Sequence, residues 1–443
     1  MKRRLAGLAG LALLASGLAA AQAPAPADLA NLSLPMAEKL LLENNRGIAQ
    51  ARSAVLQARA DVITAGQKPN PQLGLLTQNI NRSRGIGNGG LRDKTVDSIV
   101  ALSQTFERGD KAGLRVATAS LLSVAAGADL ADVARVQLLA GRQAYFDLLA
   151  AQERLVTAGE TVQLSARTLA AARQRLRAGD LSGADVARIG VDDARARNDA
   201  VALAADLARA RVVLALLFAA EADAAAIRVV APWPMGDAMV DAPAIEELLA
   251  RRPDVRAAAT RVAAADRARD LARALRTRDV TVNVQFEHWP SSDANPGGSG
   301  NSMGVGFSVP LFLRHANEGE IARAQADWYA ARDALQQVRG VARAELLRVR
   351  GDLDAARERR LRFDTELMPA ANQSSNAAEF AFRNGAIGVM DLLDARRILK
   401  AIFAEAAGAR ADFAKALAAW QASIEPAPLI AGALDDTVSD REP

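Results

Sequence analysis

Cysteine is absent from the 443-residue chain, and histidine occurs only twice, as His288 and His315. The absence of cysteine excludes disulfide frameworks, zinc–thiolate sites, iron–sulfur clusters and thiol catalysis. Two histidines leave little room for imidazole chemistry, which argues against a conventional metalloenzyme or a Ser-His-Asp hydrolase. Aromatic residues make up only 4% of the chain although half of it is hydrophobic. This composition, rich in alanine and leucine with interleaved charges, favours long helices packed through small side chains.

Residues 1–21 are typical of a secretory signal peptide. Basic residues at positions 2–4 precede the apolar stretch Leu5–Leu18, and Ala19–Ala21 offers a small-residue cleavage site. An uncleaved anchor is the alternative. Because no cysteine follows, we expect no lipid anchor. Removing three of the 55 basic residues leaves 52 against 51 acidic ones. The arginines alternate with acids along the predicted helices, a pattern that argues against nucleic-acid binding.

Long hydrophobic runs are also lacking beyond the signal. No stretch of ~18 consecutive apolar residues is apparent, so we expect no transmembrane helix in the mature chain. An exported chain of this kind is periplasmic, secreted or an outer-membrane barrel, and the periodicity of the sequence has to decide between these classes.

The chain contains an internal repeat. Residues Asn44–Leu73 align with Arg251–Val280 at an offset of 207, and Arg177–Asp185 align with Arg383–Asp391 at an offset of 206. Each copy reads as a helix, a β-hairpin, a very long helix, a glycine-containing turn and a further long helix. We therefore divide the chain into a signal peptide at residues 1–21, a first repeat at 22–220, a linking segment at 221–244, a second repeat at 245–424 and a polar tail at 425–443.

The long helices exclude a single globular core. A helix from Ala112 to Arg177 would extend for roughly 100 Å at ~1.5 Å per residue, which exceeds the diameter of such a core. The other predicted long helices are Leu181–Ala220, Ala316–Arg383 and Ile387–Gln421. Pro369 predicts a kink or break near Leu367. We expect these helices to pack side by side as coiled coils.

The predicted hairpin strands alternate between apolar and polar residues. In Val280–His288 the apolar residues Val280, Val282, Val284 and Phe286 alternate with Thr281, Asn283, Gln285 and Glu287. Met303–Leu311 alternates between apolar and small residues in the same way. Segments of about ten residues with this alternation are typical of transmembrane β-strands, and Trp289 suits an interfacial aromatic. An amphipathic sheet over a soluble core is the alternative.

The first repeat contributes two further strands, near Pro71–Ile80 and Val96–Phe106. The four strands of one chain cannot close a barrel. Small barrels need about eight strands, and lipid does not tolerate open sheet edges. The chain would therefore share its barrel with copies of itself. Three chains would supply twelve strands, with the helices continuing as a tube into the periplasm. The predicted fold class is mainly α with a transmembrane β-barrel and two structural repeats per chain.

These features resemble the TolC family of outer-membrane efflux proteins over almost the whole mature chain. Within that family, Ser103–Arg115 and Tyr145–Arg154 are similar to the CzcC-type heavy-metal branch. The branch carries Gly-Gly-Lys-Arg after its Gln-x-x-Glu motif. The corresponding residues Gly109–Ala112 read Gly-Asp-Lys-Ala here, so the match is partial.

The resemblance implies a homotrimeric, passive channel without catalytic residues, cofactor or bound metal. Its β-barrel would cross the outer-membrane lipid, and its trimeric α-barrel would meet a periplasmic adaptor, or membrane fusion protein, and an inner-membrane pump of the resistance-nodulation-division class. Heavy-metal cations are the implied substrate. An outlet for drug efflux or type I protein secretion is the alternative within the family, and a periplasmic coiled-coil scaffold is the alternative outside it.

Two turns are candidate contacts with the adaptor, because in the family these tips meet it. Both turns carry Arg two residues before Gly and a branched apolar residue two residues after it. Ordinary helix-stop chemistry explains the glycines equally well. The predicted contact residues are Arg177, Gly179, Leu181, Ser182, Arg383, Gly385 and Ile387.

Asn376 and Glu379 lie about two turns before the second tip, where related channels carry acidic residues facing the closed pore. Three copies of Glu379 around an axis would attract cations, and a solvated helix face is the alternative. Thr281, Asn283, Gln285 and Glu287 would line the barrel lumen. The acid pairs at 192/193 and 391/394 are best explained by salt bridges within helices.

Overall fold

A computed structural model describes residues 29–80, 86, 88, 90, 94–235, 244–291 and 297–424. The predicted signal peptide 1–21 and the predicted tail 425–443 lie outside the described residues. So do parts of both hairpin loops and residues 236–243 of the segment between the repeats.

Both repeats have the predicted order of elements. The first contains α1 Leu34–Asn44, α2 Arg46–Gly66, β1 Gln72–Gln78, β2 Asp97–Phe106, α3 Lys111–Arg177 and α4 Gly183–Leu217. The second contains α5 Ile245–Arg251, α6 Pro253–Ala274, β3 Val280–Trp289, β4 Gly300–Ser308, α7 Glu318–Arg362, a π-helical turn Phe363–Leu367, α8 Met368–Arg383 and α9 Val389–Ile424. Short 3₁₀ helices span Leu29–Asn31 and Glu221–Ala226.

Helix α3 is the longest described element and packs against α2, α4, α6 and α9. Its 67 residues contain no proline, and at ~1.5 Å per residue it extends for about 100 Å, as predicted. The internal repeat is also visible in the residue that precedes the long helix of each copy. Asp110, which precedes α3, and Asn317, which precedes α7, both have left-handed backbone conformations, with φ of 54° and 62°. These two positions are 207 residues apart, which is the offset found in the sequence.

The break near Leu367 is confirmed, and it takes the form of the π-helical turn Phe363–Leu367. Pro369 follows this turn and has no N–H to donate to the preceding turn, so the helix widens there. On α9, Arg410 donates hydrogen bonds of 2.9 and 3.1 Å to Asp364. The same guanidinium lies 3.0 Å from Glu153 on α3, so three helices are joined at the break.

The four strands form one antiparallel sheet in the order β1-β2-β3-β4. Leu102 is opposite Val284, which in turn is opposite Val305. Strand β4 ends at Ser308, three residues before its predicted end at Leu311. Its partner β3 begins at Val280, and Pro310 has no N–H to extend the ladder. Strands β1 and β4 are the edges of the sheet within this chain.

The largest buried core lies midway along the long helices. Tyr145 on α3 is fully buried, and its hydroxyl donates a 2.9 Å hydrogen bond to the carbonyl of Leu32. The described part of the predicted linker packs into this core. The Gln152 side chain donates to the Val229 carbonyl at 2.9 Å and accepts from the Val229 N–H at 3.0 Å. The Trp233 ring stacks on Phe146 with a centroid distance of 6.3 Å.

Helix α3 also corrects the expectation that no helix after the signal could cross a membrane. It contains an 18-residue window with a mean hydropathy of 1.4, of which only 11% is buried in the single chain. By length and composition alone, this helix is able to span a bilayer. Residues 116–128 carry no charge, but they mix alanine, glycine, serine and threonine with larger apolar residues, so they do not form a continuous apolar run.

Candidate functional site

Two helical hairpins end at the predicted turns. In the first, Gly179 has a φ of 85° and follows the last turn of α3. The Asp180 N–H donates to the Arg175 carbonyl at 2.9 Å, and the Gly179 N–H donates to the Leu176 carbonyl at 3.1 Å. These two bonds form a Schellman motif, which satisfies the free carbonyls at the end of the helix.

The second turn has the same geometry 206 residues later. Gly385 has a φ of 73°, the Ala386 N–H donates to the Ala381 carbonyl at 2.9 Å, and the Gly385 N–H donates to the Phe382 carbonyl at 3.1 Å. A Cβ built on Gly385 would meet nothing within 4 Å, so backbone conformation alone requires glycine at this position.

The predicted tip residues separate into two groups. Leu181 and Ile387 are half-buried, and Leu181 packs against an apolar cluster of the hairpin interior. Ser182 caps α4 by accepting a 3.1 Å hydrogen bond from the Asp185 N–H. The remaining predicted residues are on the surface: Arg177, Gly179, Arg383 and Gly385.

The structure places Glu379 between two arginines. Its carboxylate pairs with Arg383 on its own helix and lies 3.7 Å from Arg396 on α9. Arg396 is only 7% exposed and donates a 2.8 Å hydrogen bond to the Thr168 hydroxyl on α3. The charge of Glu379 is therefore compensated within the chain, whereas Asn376 is exposed. Sequence reasoning missed Arg396, because nothing in the local pattern marks a buried arginine on an amphipathic helix.

Burial lowers the pKa of Arg396 from its ordinary value, and the negative charges of Glu379 and Asp192 oppose that effect. A guanidinium stays charged when it is buried, and such acidic partners offset the cost of removing that charge from water. The pair between Glu379 and Arg396 thus stabilises the contact between α8 and α9 near the tip.

All four acids of the pairs 192/193 and 391/394 have partners in the structure. Asp193 and Asp394 each pair with an arginine of their own helix, as predicted. Asp192 lies 3.7 Å from Lys400 on α9, and Asp391 accepts a 3.2 Å hydrogen bond from the backbone N–H of Gly388. In the part of the chain that the structure describes, no group of three or more Asp, Glu or His side chains is arranged to hold a metal ion.

The β-sheet has one polar and one apolar face. Thr281, Asn283, Gln285 and Glu287 share the polar face with small residues of β4, as the alternation predicts. The Thr281 hydroxyl lies 2.9 Å from that of Thr105 on β2. On β1, the Gln78 side chain donates a 3.2 Å hydrogen bond to Glu287.

The opposite face is mainly apolar on all four strands, with polar residues such as Ser98, Gln104 and His288 toward its two ends, and much of it is exposed in the single chain. The exposed fractions are 76% for Leu75, 40% for Val284, 77% for Met303 and 73% for Phe307. An apolar face of this extent needs an apolar partner, because soluble proteins do not leave such patches in water.

Trp289 does not lie on that apolar face. It shares the polar face with Glu287 and packs over Gly300, where an added Cβ would lie 2.5 Å from the indole ring. Its role as an interfacial aromatic stays a prediction, and in the single chain its indole covers the end of the polar face. Its position at the end of the strand was apparent from the sequence, but its face follows from the odd-numbered alternation.

The segment that resembled the heavy-metal branch forms the junction between the sheet and α3. Arg115 donates hydrogen bonds of 2.6 and 2.8 Å to Glu107, and Lys111 donates a 2.7 Å bond to Asp279 from the other repeat. Gly109 has a φ of 79°, and a Cβ there would lie 2.8 Å from Thr277. These residues fix the angle at which the strand enters the long helix.

The family model described as "Outer membrane efflux protein" matches residues 38–220 and 244–424, which are the two repeats. The chain belongs to this family. The resemblance inferred from the repeat is thereby confirmed, and the family is one of efflux proteins and not of enzymes.

Individual relatives cover most of the chain. The cobalt-zinc-cadmium resistance protein CzcC of Cupriavidus metallidurans is 27% identical over 83% of this chain and 84% of its own length. Protein CyaE of Bordetella pertussis is 30% identical over 75% of this chain and 72% of its own. The solved CmeC outer membrane channel of Campylobacter jejuni is 16% identical with a TM-score of 0.72, covering 88% of this chain and 85% of that one. The fold is that of an outer-membrane channel.

Proposed function

We propose that three copies of this chain form one outer-membrane channel with a shared barrel of twelve strands. The open sheet is the observation that carries this proposal. Strands β1 and β4 are edges within the chain, and the face that contains Val284 is apolar and exposed. Pairing β4 of one copy with β1 of the next removes both edges and leaves the apolar faces in contact with lipid.

The helices continue from the barrel as a tube into the periplasm. Exposed apolar side chains along α4, such as Val201 at 70% and Leu216 at 57%, would be covered by a neighbouring copy. The poorly buried apolar window of α3 supports the same assembly. The tube conducts passively, and energy comes from a pump in the inner membrane.

At the far end of the tube, the two turns contact a periplasmic adaptor that links the channel to a pump of the resistance-nodulation-division class. The surface residues Arg177, Gly179, Arg383 and Gly385 make this contact directly. Leu181 and Ile387 contribute by holding each turn against its hairpin. Asn376 faces the constriction, and Glu379 acts there by fixing α8 to α9.

The conducted substrate is a heavy-metal cation. The similarity to a cobalt-zinc-cadmium resistance protein supports this choice. The described residues of the four strands include two acids, Asp97 and Glu287, and no lysine or arginine. Both acids belong to the polar face that would line the lumen, which favours the passage of cations.

Drug efflux is the second candidate, because the description of the matching family names efflux without a cargo. Deleting the gene and comparing tolerance to cobalt, zinc, cadmium, copper and dyes separates the two. Loss of metal tolerance alone supports cation export, and loss of dye tolerance alone contradicts it. Independently, the detergent-purified protein should have the mass of a trimer. A folded monomer with full β content would contradict the shared barrel.

A further inference from the structure

The apolar alternation of β4 continues beyond the end of the strand. Within the ladder, Met303, Val305 and Phe307 are exposed by 77%, 66% and 73%. After the ladder ends at Ser308, Leu311 and Leu313 are still exposed by 66% and 84%. The apolar surface that faces lipid thus extends to the helix-proximal rim of the sheet, past the last cross-strand hydrogen bond.

Arginine side chains gather at that same rim. Arg278 lies two residues before β3, and its guanidinium is 5.6 Å from the ring centre of Phe312. Arg314 directly follows Leu313. The Arg108 backbone N–H donates a 2.9 Å hydrogen bond to Asp279, the residue just before β3, so Arg108 lies at the start of that strand. We call these three residues the arginine rim.

The arginine rim is open to an anionic partner. All three side chains are exposed, and among the described residues none of them forms a salt bridge with an acid. Two other basic groups of this junction are paired, Lys111 with Asp279 and Arg115 with Glu107. The arginine rim, in contrast, carries positive charge that no salt bridge among the described residues compensates.

Both repeats contribute the same combination of groups. In the first repeat, Phe106 is 55% exposed at the end of β2 and is followed two residues later by Arg108. In the second, Leu313 is followed by Arg314. In a trimer this pattern would occur six times around the barrel. An exposed apolar residue beside an exposed arginine matches the boundary between acyl chains and headgroups of a bilayer.

We propose that the arginine rim, with the apolar residues beside it, binds the phosphate headgroups of anionic phospholipids in the membrane leaflet next to the helices. This inference rests on the proposed membrane-spanning barrel. Continuity with the apolar face of the sheet supplies the acyl-chain contact, and the unpaired guanidinium groups supply the headgroup contact.

The test compares lipid binding to two variants of equal charge change. The purified full-length protein is titrated with phosphatidylglycerol or phosphatidylcholine, and bound lipid is counted by native mass spectrometry. The rim variant carries Arg108→Ala, Arg278→Ala and Arg314→Ala. The control carries Arg167→Ala, Arg173→Ala and Arg195→Ala, three exposed arginines toward the opposite end of the long helices.

We expect the rim variant to lose affinity for phosphatidylglycerol by about fivefold for each arginine that contacts a bound headgroup, with phosphatidylcholine binding unchanged. The control should bind both lipids like the wild type. A rim variant carrying three lysines should retain most of the preference, because the charge is kept.

An equal loss for both lipids, or no loss for either, overturns the inference. If the rim variant dissociates into single chains in lipid-free detergent, the rim is a contact between copies instead. Failure of the channel itself is distinguishable. A wild type that conducts in neutral bilayers but shows no preference for phosphatidylglycerol contradicts only the lipid site, whereas a wild type that neither assembles nor conducts contradicts the proposed function.

Discussion

The carboxylate of Glu379 on α8 lies 3.7 Å from the guanidinium of Arg396 on α9, a residue that is only 7% exposed. Arg396 in turn bonds to Thr168 on α3, so a single buried cation joins three helices close to the tip. Glu379 is its closest anionic partner in the described structure. We therefore expect removal of the Glu379 carboxylate to weaken the packing of these helices more directly than it changes the electrostatic potential of a pore.

Glu379→Gln should therefore lower the free energy of unfolding by about 1–3 kcal/mol, because it leaves a buried charge without its counter-ion. Chemical denaturation followed by circular dichroism measures the change. Replacing both residues, as Glu379→Gln with Arg396→Met, should recover most of the loss, because no charge then remains buried. Additive losses in the double variant would show that the two side chains are not coupled.

The same Glu379→Gln variant tests the constriction in planar bilayers. If the carboxylate faces the ion path despite its arginine partners, cation selectivity falls while conductance is nearly unchanged. Unchanged selectivity, with reduced stability, would assign Glu379 to the structure of the tip alone. Glu287→Gln in the barrel serves as the comparison for a lumenal acid far from the tip.

The two faces of β3 should respond differently to an added arginine side chain. Val284 lies on the apolar face between Leu102 and Val305, so Val284→Arg should cost about 2–4 kcal/mol near the bilayer middle. Asn283→Arg places the same side chain on the polar face and should cost much less. The yield of folded protein inserted into lipid vesicles measures both. Equal yields would mean that the faces are wrongly assigned.

The turn at Gly385 tests backbone strain. Its φ of 73° is unfavourable for any residue with a Cβ, so Gly385→Ala should destabilise by about 1–2 kcal/mol. Gly351 within α7 provides the matched control. A Cβ there also meets nothing within 4 Å, but the helical backbone favours alanine, so Gly351→Ala should stabilise by about 0.5–1 kcal/mol. Thermal unfolding of both variants measures the difference, and a loss at Gly351 equal to that at Gly385 would exclude strain as the cause.

The ionisation of Asp254 makes the free energy of unfolding depend on pH in the acid range. Burial raises its pKa, but hydrogen bonds from Arg252, at 2.8 and 3.1 Å, and the positive charge outweigh this effect and hold the pKa below the ordinary value of 3.8. A lowered pKa stabilises the folded state above 3.8, and this contribution is lost as the pH falls through the folded value. Asp254→Asn should therefore destabilise by about 1–3 kcal/mol at pH 7 and progressively less below pH 3.8.

Denaturation at pH 7 and at pH 3 measures that difference. Glu43→Gln is the control, because Glu43 forms an exposed pair with Lys39 at 4.0 Å that should contribute little at either pH. An effect of Asp254→Asn that is the same at both pH values would show that the carboxylate charge is not what stabilises this contact.

Local patterns were enough to predict much of this fold. The strand alternation predicted which residues of β3 share a face, and Pro369 predicted the break in the second long helix. The two glycines predicted the ends of the helical hairpins. Each of these features depends on residues close together in the chain, where backbone conformation and side-chain periodicity leave few alternatives.

Features that depend on distant residues could not be predicted in this way. The partner of Glu379 lies 17 residues away on another helix, and Val229 finds Gln152 across 77 residues. The early end of β4 depends on where β3 begins.

The unpaired edges of β1 and β4 make assembly and membrane insertion one event. A single chain entering the bilayer would carry two rows of unsatisfied backbone groups into hydrocarbon, and two chains would still leave two rows. Only the closing of a ring removes them. The rate of insertion should therefore rise with a power of protein concentration greater than one, and dilute chains should accumulate at the membrane surface as helical, uninserted intermediates.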